Sequence, residues 1–311
     1  MEFDLENPLT DFHEPHSDTV TSLFLVESDH MPSENYLQSL QARDFDISVR
    51  RQAISSISKF SCNFDPLLSY LAVNYLDRFL SSQGMLQPKP WVLRLLAISC
   101  VSLAAKMKKT EFSLADFQGD GGFIFDIQTM ERMEILILGA LKWRMRSITP
   151  FSFISYFISL FKVKDPSLRQ ALKARATEII FKAQNDMKLL EFKPSVIAAS
   201  ALLSAAHELL PLQYPCFRSA TSNCSYVNKE KLLQCFKEMQ EIVIDGYESV
   251  LEMVSSSVTA VNVLDLQFSS SESEKTNGTF TTMRPERDIK RRKIIDYCGN
   301  LTVQISRIQQ Y

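Results

Sequence analysis

Catalytic chemistry finds little support in the residue types and spacings of this chain. The sequence contains no GxGxxG or GxxxxGKS/T phosphate loop, no HExxH metal motif and no GxSxG nucleophile elbow. Glu131 and Glu134 form an acid pair on a predicted helix, but Arg132 lies between them, which is typical of a solvated helix face. The pattern favours a protein that works through a binding surface, and an enzyme is the weaker hypothesis.

Metal and cofactor chemistry is equally poorly supported. The sequence has four histidines and no CxxC pair, so a zinc site is not expected. The scattered cysteines are predicted to be reduced thiols of a cytosolic or nuclear protein. They are Cys62, Cys100, Cys216, Cys224, Cys235 and Cys298. We therefore predict neither a metal nor a cofactor.

The elements that would position a binding surface centre on residues 91–109. Leu95 to Ala105 are uncharged, and a helix that is apolar nearly all round is usually wrapped by other helices. These eleven residues are fewer than the ~20 that a membrane span needs. Charge returns at Lys106, Lys108 and Lys109, where lysines complement the negative end of the helix dipole. The stretch predicts a core helix with a basic end, and no membrane partner.

Composition places the chain among all-α proteins with two domains. It has 311 residues, of which 45% are hydrophobic, enough for about two ordinary domains with their own cores. The formal net charge of −2 argues against nucleic acid as a partner, because phosphate binding needs a surplus of Lys and Arg. Long apolar runs at helical spacing, with only 8 glycines, favour helices.

Helical periodicity recurs in two tandem regions. Five helices are predicted in residues 41–146 and a similar set in residues 147–254. The segments Leu103–Lys106 and Ser204–His207 hold like places in the two halves. A helix from Asp126 to Leu141 is expected to turn Leu136 inward. Two tandem five-helix domains are the simplest architecture.

Both ends of the chain are predicted to be disordered. Residues 1–40 are interpreted as a flexible acidic leader whose one apolar patch, residues 23–27, either packs on the domain or binds a partner. Residues 255–311 form a Ser/Thr/Glu-rich and basic tail, a composition that favours disorder and a short lifetime. The run Lys290, Arg291, Arg292 and Lys293 indicates nuclear import, with a solvated basic patch as the alternative. We expect a nuclear protein.

Three runs resemble cyclins, specifically the plant D type. They are NYLDRFLSSQ (residues 74–83), LAAKMKKTE (103–111) and MERMEILILGALKWRMRSITPFSF (130–153), in the order and spacing of that family. The resemblance extends from about Tyr36 to about Val254. It implies two cyclin boxes and a regulatory subunit, not itself an enzyme, that activates a cyclin-dependent kinase to promote the G1/S transition and cell division.

The resemblance also implies roles for individual residues. Lys106 and Glu134 match the lysine and glutamate with which cyclins bind the kinase backbone, and Leu95 and Met107 match supporting contacts. A second pair, Arg50 with Asp77, matches an ion pair that joins the first helix to the second, which we interpret as structural.

One departure from the family concerns a docking groove. Cyclins bind RxL-type motifs on positions that here hold Val49, Gln52, Ala53 and Ser56, with Ser56 where a tryptophan is typical. Losing a large aromatic side chain from a groove weakens peptide docking. We expect weak RxL recruitment of substrates and of kinase-inhibitor proteins.

Two further departures concern partner choice. D cyclins carry an extended LxCxE motif for retinoblastoma-type pocket proteins, and here Leu23, Leu25 and Glu27 keep the spacing with leucine in place of cysteine. Overfilling a small pocket weakens binding, so pocket-protein binding is expected to be weak. Lys108 and Lys109 stand where the family has acids, which predicts an altered choice of kinase.

Two alternatives remain open at this point. A cyclin-fold scaffold or transcription factor shares the architecture, but it should show a basic groove. A decoy cyclin would bind a kinase without activating it, and sequence alone does not separate it from an activator. Nor does sequence name the kinase.

Overall fold

The structure is a computed structural model, and it describes residues 5–6, 8–9, 17–42, 44–83, 89–112 and 125–257. Within these residues the chain forms α-helices and short turns, and none of them lies in a strand. The helices are α1 (Ser17–Val26), α2 (Tyr36–Ala42), α3 (Asp44–Phe60), α4 (Pro66–Gln83), α5 (Pro90–Met107), α6 (Ile127–Ala140), α7 (Phe151–Leu160), α8 (Pro166–Ala183), α9 (Pro194–Leu209), α10 (Tyr214–Ser222) and α11 (Lys229–Ser257).

The N-terminal helical unit is built around α5. This helix packs against α3, α4 and α6, and its Leu96, Cys100 and Ala104 are fully buried. Small residues on α5 let these neighbours approach closely. Among the described helices, only α5 is long and apolar enough to cross a membrane, and 67% of it is buried inside the protein. Residues 113–124, between α5 and α6, lie outside the described residues.

Aspartate caps set where several helices begin. The side chain of Asp65 accepts a hydrogen bond from the amide of Leu67 at 2.9 Å, just before Pro66 opens α4. Asp126 accepts one from the amide of Thr129 at 2.6 Å, which fixes the start of α6. Each cap satisfies an amide that the helix itself leaves unpaired. The predicted start of α6 is therefore found at the predicted residue.

The C-terminal helical unit repeats this plan around α9. Pro194 opens α9 as Pro90 opens α5, and the other helices of the unit are α7, α8, α10 and α11. Phe153 and Phe157 of α7 are fully buried against this centre. The predicted all-α class with two tandem helical domains is thus confirmed.

Residues 1–244 form one compact unit, and a second unit begins at Asp245. Inside the first unit, buried hydrogen bonds hold the segment between α6 and α7, which links the two helical domains. The Tyr75 hydroxyl donates to the carbonyl of Met145 at 2.8 Å, and Arg78 donates to the Ser147 hydroxyl at 3.1 Å. Residues 258–311 lie outside the described residues, and with them the run Lys290–Lys293.

The flexible leader predicted for residues 1–40 is wrong for its second half. Residues 17–26 form α1, and the turn Glu27–His30 and α2 follow it. Val20, Leu23 and Phe24 are buried, and the Phe24 ring lies 4.7 Å from that of Phe153 and 4.6 Å from that of Tyr226. Their spacing places all three side chains on one helical face, so burying that face stabilises α1 on the C-terminal domain.

Candidate functional site

Lys106 and Glu134 meet at the end of α5. The Lys106 Nζ lies 2.6 Å from the Glu134 Oε2, and the Ser102 hydroxyl donates to the Glu134 Oε1 at 2.7 Å. The Glu134 side chain is only 9% exposed, whereas that of Lys106 is 60% exposed. The buried Ser102 hydroxyl therefore holds the Glu134 carboxylate in place, and the Lys106 ammonium keeps donors that face solvent.

The packing of α6 against the end of α5 brings this pair together. Lys106 lies in the last turn of α5, which closes when the amide of Thr110 donates to the carbonyl of Ala105 at 2.9 Å. Glu134 lies in the middle of α6, which packs against α5. Ser102 and Lys106 are four residues apart on one face of α5, so both reach the same carboxylate.

Exposed apolar side chains occupy the helix that carries Glu134. Ile135 and Leu136 are each 61% exposed, so the expectation that Leu136 faces inward is wrong. The core contacts of α6 are made by Met130, Met133 and Ile137 instead. Large apolar side chains left in solvent beside a preorganised ion pair are typical of a protein-binding surface.

Trp143 is a candidate that the sequence reasoning missed. Its side chain is 70% exposed just beyond the end of α6, and its amide donates to the carbonyl of Leu138 at 2.9 Å. Lys142 and Trp143 both have positive φ, 53° and 61°, a conformation that costs a non-glycine residue about 1–2 kcal/mol. One signal was available: a tryptophan between Lys142 and Arg144 at a helix end is a poor candidate for the core.

The supporting contacts Leu95 and Met107 need a correction. Leu95 is 3% exposed and lies in the core of the N-terminal domain, so it does not reach a partner directly. It faces the domain interior because α5 is wrapped on that side by α3 and α4. Met107 is half-buried at the exposed end of α5. Of the two, only Met107 is placed to touch a partner.

Lys108 is turned away from solvent, although its predicted effect on the choice of kinase requires it to face a partner. Its side chain is 8% exposed, with Nζ 3.5 Å from the Asp65 Oδ2 and donating to the carbonyl of Glu6 at 3.0 Å. Lys109 beside it is exposed, in a left-handed turn with φ 51°. The α5 chain end turns Lys108 inward, so of these two lysines only Lys109 adds a positive charge to this surface.

Arg50 and Asp77 form the ion pair expected of them. Arg50 Nε and Nη2 donate to the two Asp77 carboxylate oxygens at 2.7 and 3.0 Å, and the Tyr36 hydroxyl donates to Oδ1 at 3.3 Å. Arg50 Nη1 also donates to the carbonyl of Asn185, in the C-terminal domain, at 2.7 Å. Both side chains are nearly inaccessible. The pair joins α2, α3, α4 and the second domain, which is a structural role.

The four positions predicted for a docking groove divide into two pairs. Val49 and Ala53 are buried with Ile57 on the face of α3 that packs on the core, so they do not line a groove. Gln52 and Ser56 do line one, a shallow groove of about 460 Å³ between α3 and the start of α5. The predicted spacing is present along α3, but only Gln52 and Ser56 face the groove beside α5.

The segment predicted to bind pocket proteins is folded. Leu23 is buried in α1, Leu25 is 75% exposed, and Glu27 is 1% exposed. The Glu27 carboxylate accepts hydrogen bonds from the amide and the hydroxyl of Ser195, both at 2.9 Å. A helical segment with two of its three motif residues buried does not present an extended motif. The predicted alternative, an apolar anchor on the domain, describes the structure better.

Comparison with known proteins gives matches along most of the chain. Residues 18–146 match the family model of the cyclin N-terminal domain, and residues 148–271 match that of the cyclin C-terminal domain. The chain is 52% identical over 299 residues to putative cyclin-D6-1 of Arabidopsis thaliana, covering 92% of this chain and 97% of that protein. Cyclin-D6-1 of Oryza sativa subsp. japonica is 39% identical over 300 residues, covering 94% and 90%.

A solved structure shares the fold. The crystal structure of a viral cyclin from herpesvirus saimiri superposes with a TM-score of 0.51 at 18% sequence identity, over 63% of this chain and 85% of that one. Within the described residues no cluster of three or more His, Cys, Asp or Glu side chains could hold a metal ion.

Proposed function

Because the chain belongs to the cyclin family, we propose that it is a regulatory subunit that binds and activates a cyclin-dependent kinase and thereby promotes the G1/S transition and cell division. The observation that carries the proposal is the bridge between Lys106 and Glu134, at 2.6 Å, with its ammonium turned to solvent. Support also comes from the relatives, which are named as D-type cyclins.

The bridge is suited to binding the ends of a partner helix. An ammonium offers three donors, and only one of them is used by Glu134 in the structure. Backbone carbonyls at the end of a helix lack internal partners and accept such donors. Docking of this kind on the mobile αC helix of a kinase brings the kinase's glutamate to its catalytic lysine.

The apolar surface beside the bridge would supply most of the buried area. Ile135, Leu136 and Trp143 are exposed on or just after α6, and Met107 ends α5. Large side chains of this kind dominate binding energy when a partner excludes water from them. The charged pair would then fix the register of a largely apolar contact.

Kinase capture followed by a phosphorylation assay tests the proposal. The full chain is presented to a panel of plant cyclin-dependent kinases, and each captured kinase is assayed on a protein substrate. The double variant Lys106→Ala with Glu134→Ala should lose both capture and activity. A matched control is Lys188→Ala with Glu238→Ala, which removes an exposed ion pair of 2.7 Å from the C-terminal domain. Capture without activity would identify a decoy, and capture of no kinase would refute the proposal.

We extend the proposal to the location of the protein. The run Lys290–Lys293 offers four consecutive cations, the composition that import receptors recognise. Replacing all four with alanine in a fluorescent fusion should move the protein from the nucleus to the cytoplasm. An unchanged nuclear signal would refute this use of the run.

We also propose that two classes of partner bind this protein only weakly. Kinase-inhibitor proteins would bind poorly because Ser56 leaves the groove without an aromatic wall. Retinoblastoma-type pocket proteins would bind poorly because the leader motif is folded into α1 and the turn after it, with Leu23 and Glu27 buried. Titration of this chain with an RxL peptide should show binding weaker than micromolar. Micromolar or tighter binding would contradict it.

A further inference from the structure

Arg78 of α4 is a buried cation that no acid among the described residues balances. The residue is 6% exposed, and its Nη1 donates to the carbonyl of Arg144 and to the Ser147 hydroxyl, both at 3.1 Å. Its Nε and Nη2 have no partner within the described part of the chain, yet neither is among the polar atoms shielded from solvent. Burial lowers the pKa of Arg78 to about 10, and the Arg144 guanidinium adds to this effect. The guanidinium therefore keeps both a charge and donors for a ligand.

Polar contacts connect the surroundings of this arginine to the turn that follows α1. The Ser147 hydroxyl donates to the Asn74 Oδ1 at 3.0 Å, and the Asn74 amide nitrogen donates to the carbonyl of His30 at 3.4 Å. Next to His30, the Asp29 carboxylate lies 2.6 Å from the Arg144 Nη1. Since the carbonyl of Arg144 binds the buried arginine, these contacts close into a ring between α4, the turn and the segment before α7. This Arg78 ring consists of Asp29, His30, Asn74, Arg78, Arg144 and Ser147.

His30 adds an unused nitrogen to the Arg78 ring. Its Nδ1 is shielded from solvent and has no hydrogen-bond partner among the described residues. Burial lowers the pKa of His30 to about 4, and the charges of Arg78 and Arg144 lower it further against the opposing effect of Asp29. The imidazole is therefore neutral at pH 7. A buried nitrogen without a partner is unfavourable, and a bound group that hydrogen-bonds to it removes that cost.

The charges of the Arg78 ring fit an anion with more than one negative charge. Asp29 already balances Arg144, so Arg78 is left over as one cation, and His30 becomes a second when it binds a proton. A carboxylate would balance only the first of these. A phosphate group carries a charge of about −1.5 to −2 at pH 7 and accepts several hydrogen bonds. Guanidinium groups bind phosphate oxygens through two parallel donors, and Arg78 has two donors unused.

We propose that the Arg78 ring binds a phosphate group, carried by a phosphorylated serine or threonine side chain or present as free phosphate, through Arg78 and His30. Asp29 and Arg144 are about half exposed, so their ion pair opens at little cost. The incoming phosphate takes the place of Asp29 beside Arg144. This site is independent of the surface around Lys106 that is proposed to bind a kinase.

Fluorescence anisotropy with the full chain at pH 7 tests for this site. One labelled probe is Gly-Ser-Gly-Ser-Gly-Ser-Gly with the central serine phosphorylated, and the matched probe is unphosphorylated. The phosphorylated probe should bind at least about tenfold more tightly. Equal affinities, or no saturable binding, would overturn the proposal. Inorganic phosphate serves as an unlabelled competitor: displacement at concentrations like those of the peptide assigns the site to the free anion, and much weaker displacement assigns it to a modified side chain.

Substitutions locate the binding on the Arg78 ring. Asp29→Asn should strengthen binding of the phosphorylated probe about threefold, because it removes the carboxylate that competes for Arg144. A misfolded variant would not show this gain. Glu131→Gln removes an exposed acid of α6 and is the control. Arg78→Gln should abolish the preference for the phosphorylated probe, with circular dichroism used to verify that the variant is folded. Equal gains for Asp29→Asn and Glu131→Gln would show a general charge effect and overturn the proposal.

Proton NMR of the imidazoles gives a second, local measurement. The chain has four histidines, and His30→Gln identifies the resonance of His30. Saturation with the phosphorylated peptide should raise the pKa of His30 above its value of about 4, because a nearby negative charge favours the imidazolium. The other three histidines should titrate as before. An unchanged titration of His30 in the saturated sample would overturn the proposal. No kinase is present in either experiment, so the outcomes are independent of kinase binding.

Discussion

At the scale of single residues, the buried Arg50–Asp77 pair is a point at which one substitution leaves an uncompensated charge inside the protein. Asp77 accepts hydrogen bonds from Arg50 and Tyr36 and is nearly inaccessible. Removing one member of a buried pair leaves the other charged and unpaired. The expected loss of folding stability is therefore larger than the loss from breaking an exposed ion pair.

Asp77→Ala should lower the free energy of unfolding by about 3–5 kcal/mol, because Arg50 would stay buried without its partner. Urea denaturation followed by circular dichroism measures the change. As a control, the double replacement Arg50→Met with Asp77→Leu should cost less than the single one, since no charge is left buried. A loss below about 1 kcal/mol for Asp77→Ala would show that the pair is not a structural joint.

Glu27 should make stability depend on pH. Burial raises the pKa of its carboxyl above the ordinary 4.5, against the opposing effect of the Ser195 hydrogen bonds and of Lys193. The folded state thus holds a proton more tightly than the unfolded chain, so ionisation of Glu27 removes stability as pH rises above about 4.5.

The uncharged variant Glu27→Gln should escape this loss while keeping an acceptor for the Ser195 amide. From about pH 4 to pH 7, its unfolding free energy should rise relative to that of the wild type. Glu34→Gln, at an exposed position, is the control and should show no such trend. A difference between Glu27→Gln and the wild type that stays constant with pH would contradict the assignment.

Trp143 should matter for binding and little for folding. Its side chain is 70% exposed, so Trp143→Ala should leave the unfolding free energy within about 1 kcal/mol of the wild type. Kinase affinity should fall by about tenfold or more, as for a tryptophan in an interface. Trp91→Ala replaces the other, 41% exposed tryptophan, at the far end of α5, and should leave affinity unchanged. If calorimetric titration gave equal kinase affinity for Trp143→Ala and the wild type, Trp143 would not be part of the kinase-binding surface.

At the scale of elements, the most informative piece is α1. It takes the place of a flexible leader because its apolar face has a partner on the C-terminal domain, where Phe24 stacks on Tyr226. At its end, Glu27 caps the start of α9 through Ser195. The folded state of α1, more than the leucine at position 25, therefore determines whether a pocket protein can reach the motif.

Leu25→Cys alone should therefore not create binding to a retinoblastoma-type pocket protein, since Leu23 and Glu27 remain buried. Combining it with Phe24→Ala, which removes the main anchor of α1, should expose the segment and allow binding. Surface plasmon resonance with an immobilised pocket domain compares the two variants. Micromolar binding by Leu25→Cys alone would show that α1 opens without help.

At the scale of the whole molecule, patterns that depend on local spacing were predicted well from the sequence. The helix from residue 90 to residue 107, the Asp126 cap and the tandem repeat follow from periodicity and capping rules. The pairing of Lys106 with Glu134, 28 residues apart, came from the family resemblance, because spacing alone does not say which helices pack together.

Features that depend on the neighbours of an element were not predicted. The same α6 pattern that suggested an inward Leu136 leaves it exposed, since Met133 and Ile137 already fill the core. Lys108 turns inward because Asp65 and the Glu6 carbonyl happen to lie there. The docking of α1 depends on an aromatic cluster that is formed more than a hundred residues later.

In the proposed function, the Lys106–Glu134 bridge faces a kinase and is more than an internal brace. Swapping the charges, with Lys106→Glu and Glu134→Lys, keeps an ion pair inside the protein but reverses what it offers outward. The measurement is the dissociation constant for the captured kinase, by isothermal titration calorimetry. We predict that the swapped variant unfolds cooperatively but binds about a hundredfold more weakly than the wild type. Wild-type affinity in the swapped variant would show that the bridge does not contact the kinase.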